Sequence, residues 1–177
     1  MAMDSLRQML RRRRHWSAYL LTFDHSEALE AFLVVEDEMD DASYWSILGD
    51  AWTATESVAA NEETWRRLFT STRPGREQLM KEADRPLLAE LPAEVTAYRG
   101  HSHVGGERGL AWTLQRDSAE IFARQFAGST DLGHPPGEPR LASSNVPRSS
   151  IVALFQARRE GDILILDLPP EIDVDPL

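Results

Sequence analysis

The sequence predicts an α+β fold with a helical first half and a β-rich second half. In the first half, apolar residues recur at helical spacing, as at Trp45, Leu48 and Trp52. In the second half, short apolar runs are bounded by Gly and Pro, a pattern typical of strands. We expect residues 1–93 to form a helical region and 94–168 a β-rich core, together one compact domain, followed by an irregular tail at 169–177.

Amino-acid composition and net charge exclude several classes of function. The 177 residues carry a net charge of −10 and include no cysteine, which excludes disulfides and thiol chemistry. The run Arg11–Arg14 predicts a solvated helix end, with contact to phosphates or an acidic lipid surface as the alternative. Because the rest of the chain is acidic, we expect no stable nucleic-acid binding. The first residues do not resemble a secretory signal, and no apolar run approaches membrane-spanning length, so we expect a cytoplasmic protein.

The helical half is predicted element by element. The segment Ser5–Phe23 is predicted to begin as a helix and to end as a short extended piece, and the segment from Ser26 to Val35 is compatible with either helix or strand. Further helical segments, separated by a turn at Thr72–Gly75, are Asp40–Trp52, Glu62–Thr70, Arg76–Met80 and Pro86–Glu90. Their aromatic residues are expected in the core rather than around a ligand. The acidic cluster Glu36–Asp41 is expected to be a solvated face rather than a metal site.

The segment Val95–Phe126 organises the β-rich half. A β-type run beginning at Val95 delivers Arg99 to a glycine turn at Gly100, and a glycine-rich loop follows from His101 to Gly109. A second short strand is predicted at Leu110–Leu114. After it, a helix begins near Asp117. An arginine beside freed backbone amides is a candidate anion cradle, which suggests a phosphate-bearing ligand.

Loops and strands make up the remaining segments. The Gly- and Pro-rich stretch between Ala127 and Asn145 predicts a long loop. After it come strands at Leu141–Val146 and Ile163–Leu166, and between them a short helix or turn at 146–150 leads into Ile151–Gln156.

An ordered series of motifs resembles the bacterial and phage-type group of the ADP-ribosyltransferase superfamily. The motifs span about 70 residues and read Tyr98-Arg99-Gly100, Glu107-Arg108-Gly109-Leu110-Ala111-Trp112-Thr113, Arg116-Asp117-x-Ala119-Glu120-x-Phe122-Ala123, Val146-Pro147-Arg148-Ser149 and Glu160-Gly161-Asp162-Ile163-Leu164-Ile165. The resemblance implies a split β-sheet core with NAD as substrate and no metal. It implies cleavage of the nicotinamide glycosidic bond and transfer of ADP-ribose to a protein or nucleic-acid acceptor, as in toxin-like or phage modifiers of a host macromolecule.

The resemblance also assigns roles in binding NAD. Arg99 would be the strand arginine that holds the diphosphate or ribose, and the Gly100 backbone would meet the nicotinamide carboxamide. Thr113 would lie in the hydroxyl motif of the second strand, with Trp112 beside it. Phe122 is either a ring stacker or a core residue.

The catalytic carboxylate departs from the family pattern. Relatives carry a glutamate at the start of the last strand, where this chain has Asp162, with Glu160 two residues earlier. Asp is one methylene shorter than Glu, and a misplacement of about 1 Å costs roughly 100-fold in rate. Either Asp162 acts with an adjusted backbone, Glu160 takes over, or the site is inactive. Ala111 also replaces a common serine, so the alternative function is an inactive member of the fold that binds a protein through its acidic surface.

For several other polar residues the sequence leaves two roles open. His101 and His103 are expected in a polar loop, with a metal or phosphate site as the alternative. Arg108 and Arg116 either bind phosphates or pair with nearby Glu and Asp residues. Hydrolysis of NAD without an acceptor is a further possible activity.

Overall fold

The computed structural model describes residues 2–55, 58–103, 105–127, 137–156 and 161–177, and for residues 59 and 126 the backbone alone. In this part of the chain there are seven α-helices and a six-stranded antiparallel sheet, which confirms the predicted α+β class. The chain divides into two compact units. One comprises Met1–Glu56 with Thr70–Lys81, and the other comprises Ser57–Phe69 with Glu82–Leu177.

The first unit is helical. Its helices are α1 (Ala2–Arg12), α2 (Trp16–Leu20), α3 (Ala28–Val35) and α4 (Asp41–Ala54). The extended piece predicted before Phe23 is wrong, because α2 occupies that position. The segment that the sequence left open is the helix α3, whose residues Ala28, Phe32 and Val35 are buried on one helical face.

Capping and aromatic burial fix α4. The Asp40 carboxylate accepts from the backbone N–H of Ser43 at 2.9 Å, satisfying a free donor of the first turn. Trp45 is fully buried, and its indole N–H donates to the carbonyls of Arg73 and Pro74 at 3.1 and 3.0 Å. The predicted aromatic core is thus confirmed. The acidic cluster before α4 is largely exposed, as expected, and its Glu38 pairs with Arg11.

The described residues of the second unit form the sheet and three helices. The helices are α5 (Glu62–Phe69), α6 (Asp84–Glu90) and α7 (Arg116–Ala127). The strands are β1 (Glu94–His101), β2 (Ala111–Thr113), β3 (Arg140–Pro147), β4 (Ile151–Phe155), β5 (Asp162–Ile165) and β6 (Asp173–Pro176), in the spatial order β4-β5-β2-β1-β3-β6. The described strands form one sheet, whereas the resemblance implies a split one.

Two expectations about this unit are corrected. The tail is not irregular throughout, since β6 pairs with the outer edge of β3 through Asp173–Pro176. Gly100 is not a turn, because it lies inside β1 opposite Leu141 of β3. A side chain at Gly100 would overlap the backbone of α7 at Ala119 and Ala123. This glycine therefore lets α7 approach the strand closely, and it does so without reversing the chain.

Candidate functional site

Arg99 is held by backbone carbonyls. Its Nε donates to the carbonyl of Gly106 at 2.6 Å, and its Nη1 donates to the carbonyl of Ala111 at 2.5 Å. The side chain is partly accessible, but protein atoms surround the guanidinium closely enough for desolvation to lower the pKa of Arg99 to about 10. Arg99 thus remains cationic at neutral pH, and it ties the loop after β1 to the first residue of β2.

Gly109 provides the space for this arrangement. A Cβ at Gly109 would lie 2.8 Å from the Arg99 Nε and would overlap Cζ and Nη2. No real side chain tolerates such contacts, so the guanidinium lies directly against the glycine backbone. The sequence suggested that the glycines of this loop free backbone amides for an anion. In the structure, Gly109 instead makes room for the side chain of Arg99.

His101 anchors the other end of the same loop. It is the last residue of β1 and is only 2% exposed, so it does not lie in an exposed polar loop as expected. Its Nδ1 lies 3.1 Å from the carbonyl of His103, which also accepts from the N–H of Gly106. Burial lowers the pKa of His101, and the nearby Arg99 charge acts in the same direction. The imidazole is therefore neutral at pH 7, and Nδ1 is the protonated nitrogen because it faces a carbonyl acceptor.

The structure brings Thr113 and Asp162 together. Thr113 of β2 pairs with Tyr98 of β1 on one side and with Asp162 of β5 on the other. Asp162 opens β5 directly after Gly161, which has a φ of +60°. Its side chain is partly exposed. A carboxylate and a hydroxyl thus stand side by side in the middle of the sheet.

Arg99 and Asp162 do not share a face of the sheet. Directly paired residues in antiparallel strands project to the same side, so Tyr98, Thr113 and Asp162 form one row across three strands. Arg99 follows Tyr98 and projects to the opposite side. The predicted cation and the predicted carboxylate are therefore close in register but separated by the sheet itself.

Trp112 and Phe122 lie in different surroundings. Trp112 is 2% exposed, and its indole N–H donates to the carbonyl of Gly109 at 2.8 Å. This hydrogen bond joins a buried side chain of β2 to the loop that precedes the strand. Phe122 is partly exposed on α7, the helix that packs on β1.

Several expectations concern other side chains. Glu160 lies outside the described residues. Arg116 makes an ion pair with Glu120 at 3.0 Å, one of the two options that the sequence left open. No group of three or more His, Asp or Glu residues suited to a metal ion occurs in the described ranges. None of the helices there is long and apolar enough to cross a membrane.

Sequence reasoning missed the residues that fix Arg99. Gly109 and the carbonyls of Gly106 and Ala111 carry no side-chain signature, so only a tertiary arrangement reveals them. The one available signal was the repeated glycine between the two strands, which marks positions of close approach as readily as turns.

Comparisons with known proteins add no relationship. No protein-family model, curated protein or solved structure matches this chain.

Proposed function

We propose that this chain is a cytoplasmic, NAD-dependent ADP-ribosyltransferase-like protein. It would cleave the nicotinamide glycosidic bond and transfer ADP-ribose to a protein or nucleic-acid acceptor. The motif resemblance suggests this activity. The observation that carries the proposal is the pairing of Asp162 with Thr113 on adjacent central strands, next to the strand that bears Arg99.

The proposed reaction requires a carboxylate near the positive charge that develops on the ribose. Loss of nicotinamide leaves an oxocarbenium-like ribose, which a fixed carboxylate stabilises electrostatically. Asp162 is partly exposed at the start of β5, so it is accessible from one face of the sheet. Thr113 pairs with Asp162, and its hydroxyl accepts from the N–H of Gln115 at 3.1 Å, which holds the hydroxyl in place.

Arg99 would act on NAD indirectly in this arrangement. Its two strong hydrogen bonds hold the loop after β1 and the start of β2, and its side chain projects away from Asp162. It would thereby fix the strand that presents Thr113. Direct contact with the diphosphate would require Arg99 to use its remaining donor groups on the opposite side of the sheet.

A second candidate is an inactive member of the fold that binds a protein partner. The separation of Arg99 from Asp162 by the sheet favours it, as does the absence of a hydroxyl at Ala111, which shares the Thr113 face through its pairing with Leu164. The exposed carboxylates around Asp37 and Asp40 would supply the contact surface.

Nicotinamide release separates the two candidates. The purified chain is incubated with NAD and a lysate acceptor pool, and released nicotinamide is measured by chromatography. Asp162→Asn should abolish release, whereas Asp162→Glu should raise it, because the longer side chain restores the reach of the family glutamate. Asp167→Asn, at an exposed position just beyond β5, is the matched control and should leave release unchanged.

Two results would change the assignment, and a third would identify the acceptor. If Asp162→Asn retains release and Glu160→Gln loses it, the catalytic carboxylate is Glu160. If the wild-type protein and Asp162→Glu both release nothing, the inactive binding role is favoured. An ADP-ribose adduct on a lysate protein, detected by mass spectrometry with the wild-type chain and absent with Asp162→Asn, would identify the acceptor.

A further inference from the structure

A solvent-open depression lies in the second unit, away from the Asp162 row. It has a volume of about 480 Å³ and is formed where the end of α6 meets the 3₁₀ turn Arg148–Ser150 that leads into β4. The residues that line it are Arg85, Leu88, Ala89, Ala93, Arg148 and Ser149. The lining thus brings two arginines and a serine next to a leucine and two alanines.

The position of Arg148 is fixed by the chain around it. Its Nη1 donates to the carbonyls of Ala89 and Leu91 at 2.7 and 2.6 Å, and its backbone N–H donates to the carbonyl of Ala93 at 2.9 Å. These bonds close the C-terminal end of α6, where unpaired carbonyls would otherwise remain. The guanidinium is thus held at the rim of the depression.

Arg148 keeps donor groups for a ligand. Its side-chain hydrogen bonds within the described residues all use Nη1, and no described carboxylate forms an ion pair with it. Planar guanidinium groups bind phosphate oxygens through parallel N–H donors.

The residues that line the depression indicate the class of ligand that it would bind. Arg85 and Arg148 supply positive charge, Ser149 supplies a hydroxyl, and Leu88 with the two alanines supplies a surface for an apolar group. The volume falls within the roughly 300–1,000 Å³ typical of small-molecule sites. We propose that this depression binds a small phosphate monoester that carries a flat apolar group, such as a nucleoside monophosphate. The proposal does not depend on the function assigned above.

Binding of AMP to the full chain, measured by titration calorimetry, tests this site. AMP should bind, inorganic phosphate should bind more weakly and compete with it, and adenosine should show no saturable binding. Arg85→Gln should weaken AMP binding roughly tenfold through the loss of a charged donor. Arg148→Lys, which keeps the charge but not the planar fork, should weaken it about fivefold.

Matched controls keep the result interpretable. Arg124→Gln removes an exposed arginine on α7 that pairs with Glu120, and it should leave AMP binding unchanged. Because Arg148 also closes the end of α6, each variant is checked for an unchanged circular dichroism spectrum. If Arg148→Lys misfolds, the result with Arg85→Gln alone tests the proposal. Equal binding of adenosine and AMP, or equal weakening by Arg124→Gln, overturns the proposal. Nicotinamide release should be the same in Arg85→Gln as in the wild type, which separates this site from the transferase proposal.

Discussion

Replacing Gly109 tests the two hydrogen bonds of Arg99 to the carbonyls of Gly106 and Ala111, which we call the arginine clamp. The methyl group of Gly109→Ala would overlap the Arg99 guanidinium, which can move away only by giving up its bonds to Gly106 and Ala111 at 2.6 and 2.5 Å. A hydrogen bond from a charged donor contributes about 1.5–3 kcal/mol. The loss of both would therefore cost about 3–6 kcal/mol. Because the guanidinium is the end of a flexible side chain and can find other acceptors, we expect the lower end of this range, a decrease of about 3 kcal/mol in the free energy of unfolding.

Urea unfolding followed by tryptophan fluorescence measures this decrease. Gly105→Ala is the comparison, because Gly105 has open space around it but a φ of +81°, so alanine there costs about 1–2 kcal/mol through backbone strain alone. In an Arg99→Ala background the space at Gly109 is free, and Gly109→Ala should cost less than about 1 kcal/mol. Additivity of the two substitutions to within about 0.5 kcal/mol would refute the clamp.

Three further predictions concern stability. Because burial lowers the pKa of His101 below its ordinary value of 6.5, only the unfolded chain takes up this proton as the pH begins to fall. The contribution of His101 is therefore complete above about pH 6.5 and is lost on acidification. His101→Gln should reduce the difference between urea unfolding at pH 7.5 and pH 5.5, and an unchanged difference would contradict this. Asp40→Ala should lower stability by about 1 kcal/mol through loss of the Ser43 cap, and Asp40→Asn should restore most of it in the same assay. Gly100→Ala should cost more than about 3 kcal/mol in thermal melts, because its methyl group meets backbone that cannot rotate away, and a near-wild-type melt would show that α7 can shift.

Local patterns were sufficient to predict most of the elements. Hydrophobic periodicity and the residues that bound each segment predict the strand containing Arg99, the short strand ending at Thr113 and the helix after Asp117. The structure confirms all three. The terminal strand at 173–176 could not be predicted, because a short acidic segment becomes a strand only by pairing with the edge of β3. The segment Ala28–Val35 was ambiguous because it is apolar on nearly all sides, and burial within a helical unit decided it.

Glycine and arginine were misjudged for a common reason. A sequence shows that Gly100 lacks a side chain but not whether this frees the backbone or admits a neighbouring helix. It shows that Arg99 carries a charge but not which acceptors surround it. Both questions are answered by contacts with the backbone of α7 and with the carbonyls of Gly106 and Ala111, which residue types do not reveal. Residue type predicts chemistry well where the partner is local and poorly where it is tertiary.

The clamp and the candidate catalytic row are linked through β2. This strand has only three residues, and a shift of one residue would move Thr113 to the opposite face, away from Asp162. The bond from Arg99 to the Ala111 carbonyl fixes the first residue of that strand, and the indole of Trp112 fixes the next through Gly109. Arg99 thus contributes to the Thr113–Asp162 arrangement from the other side of the sheet. Arg99 would therefore support the candidate site without its side chain entering it.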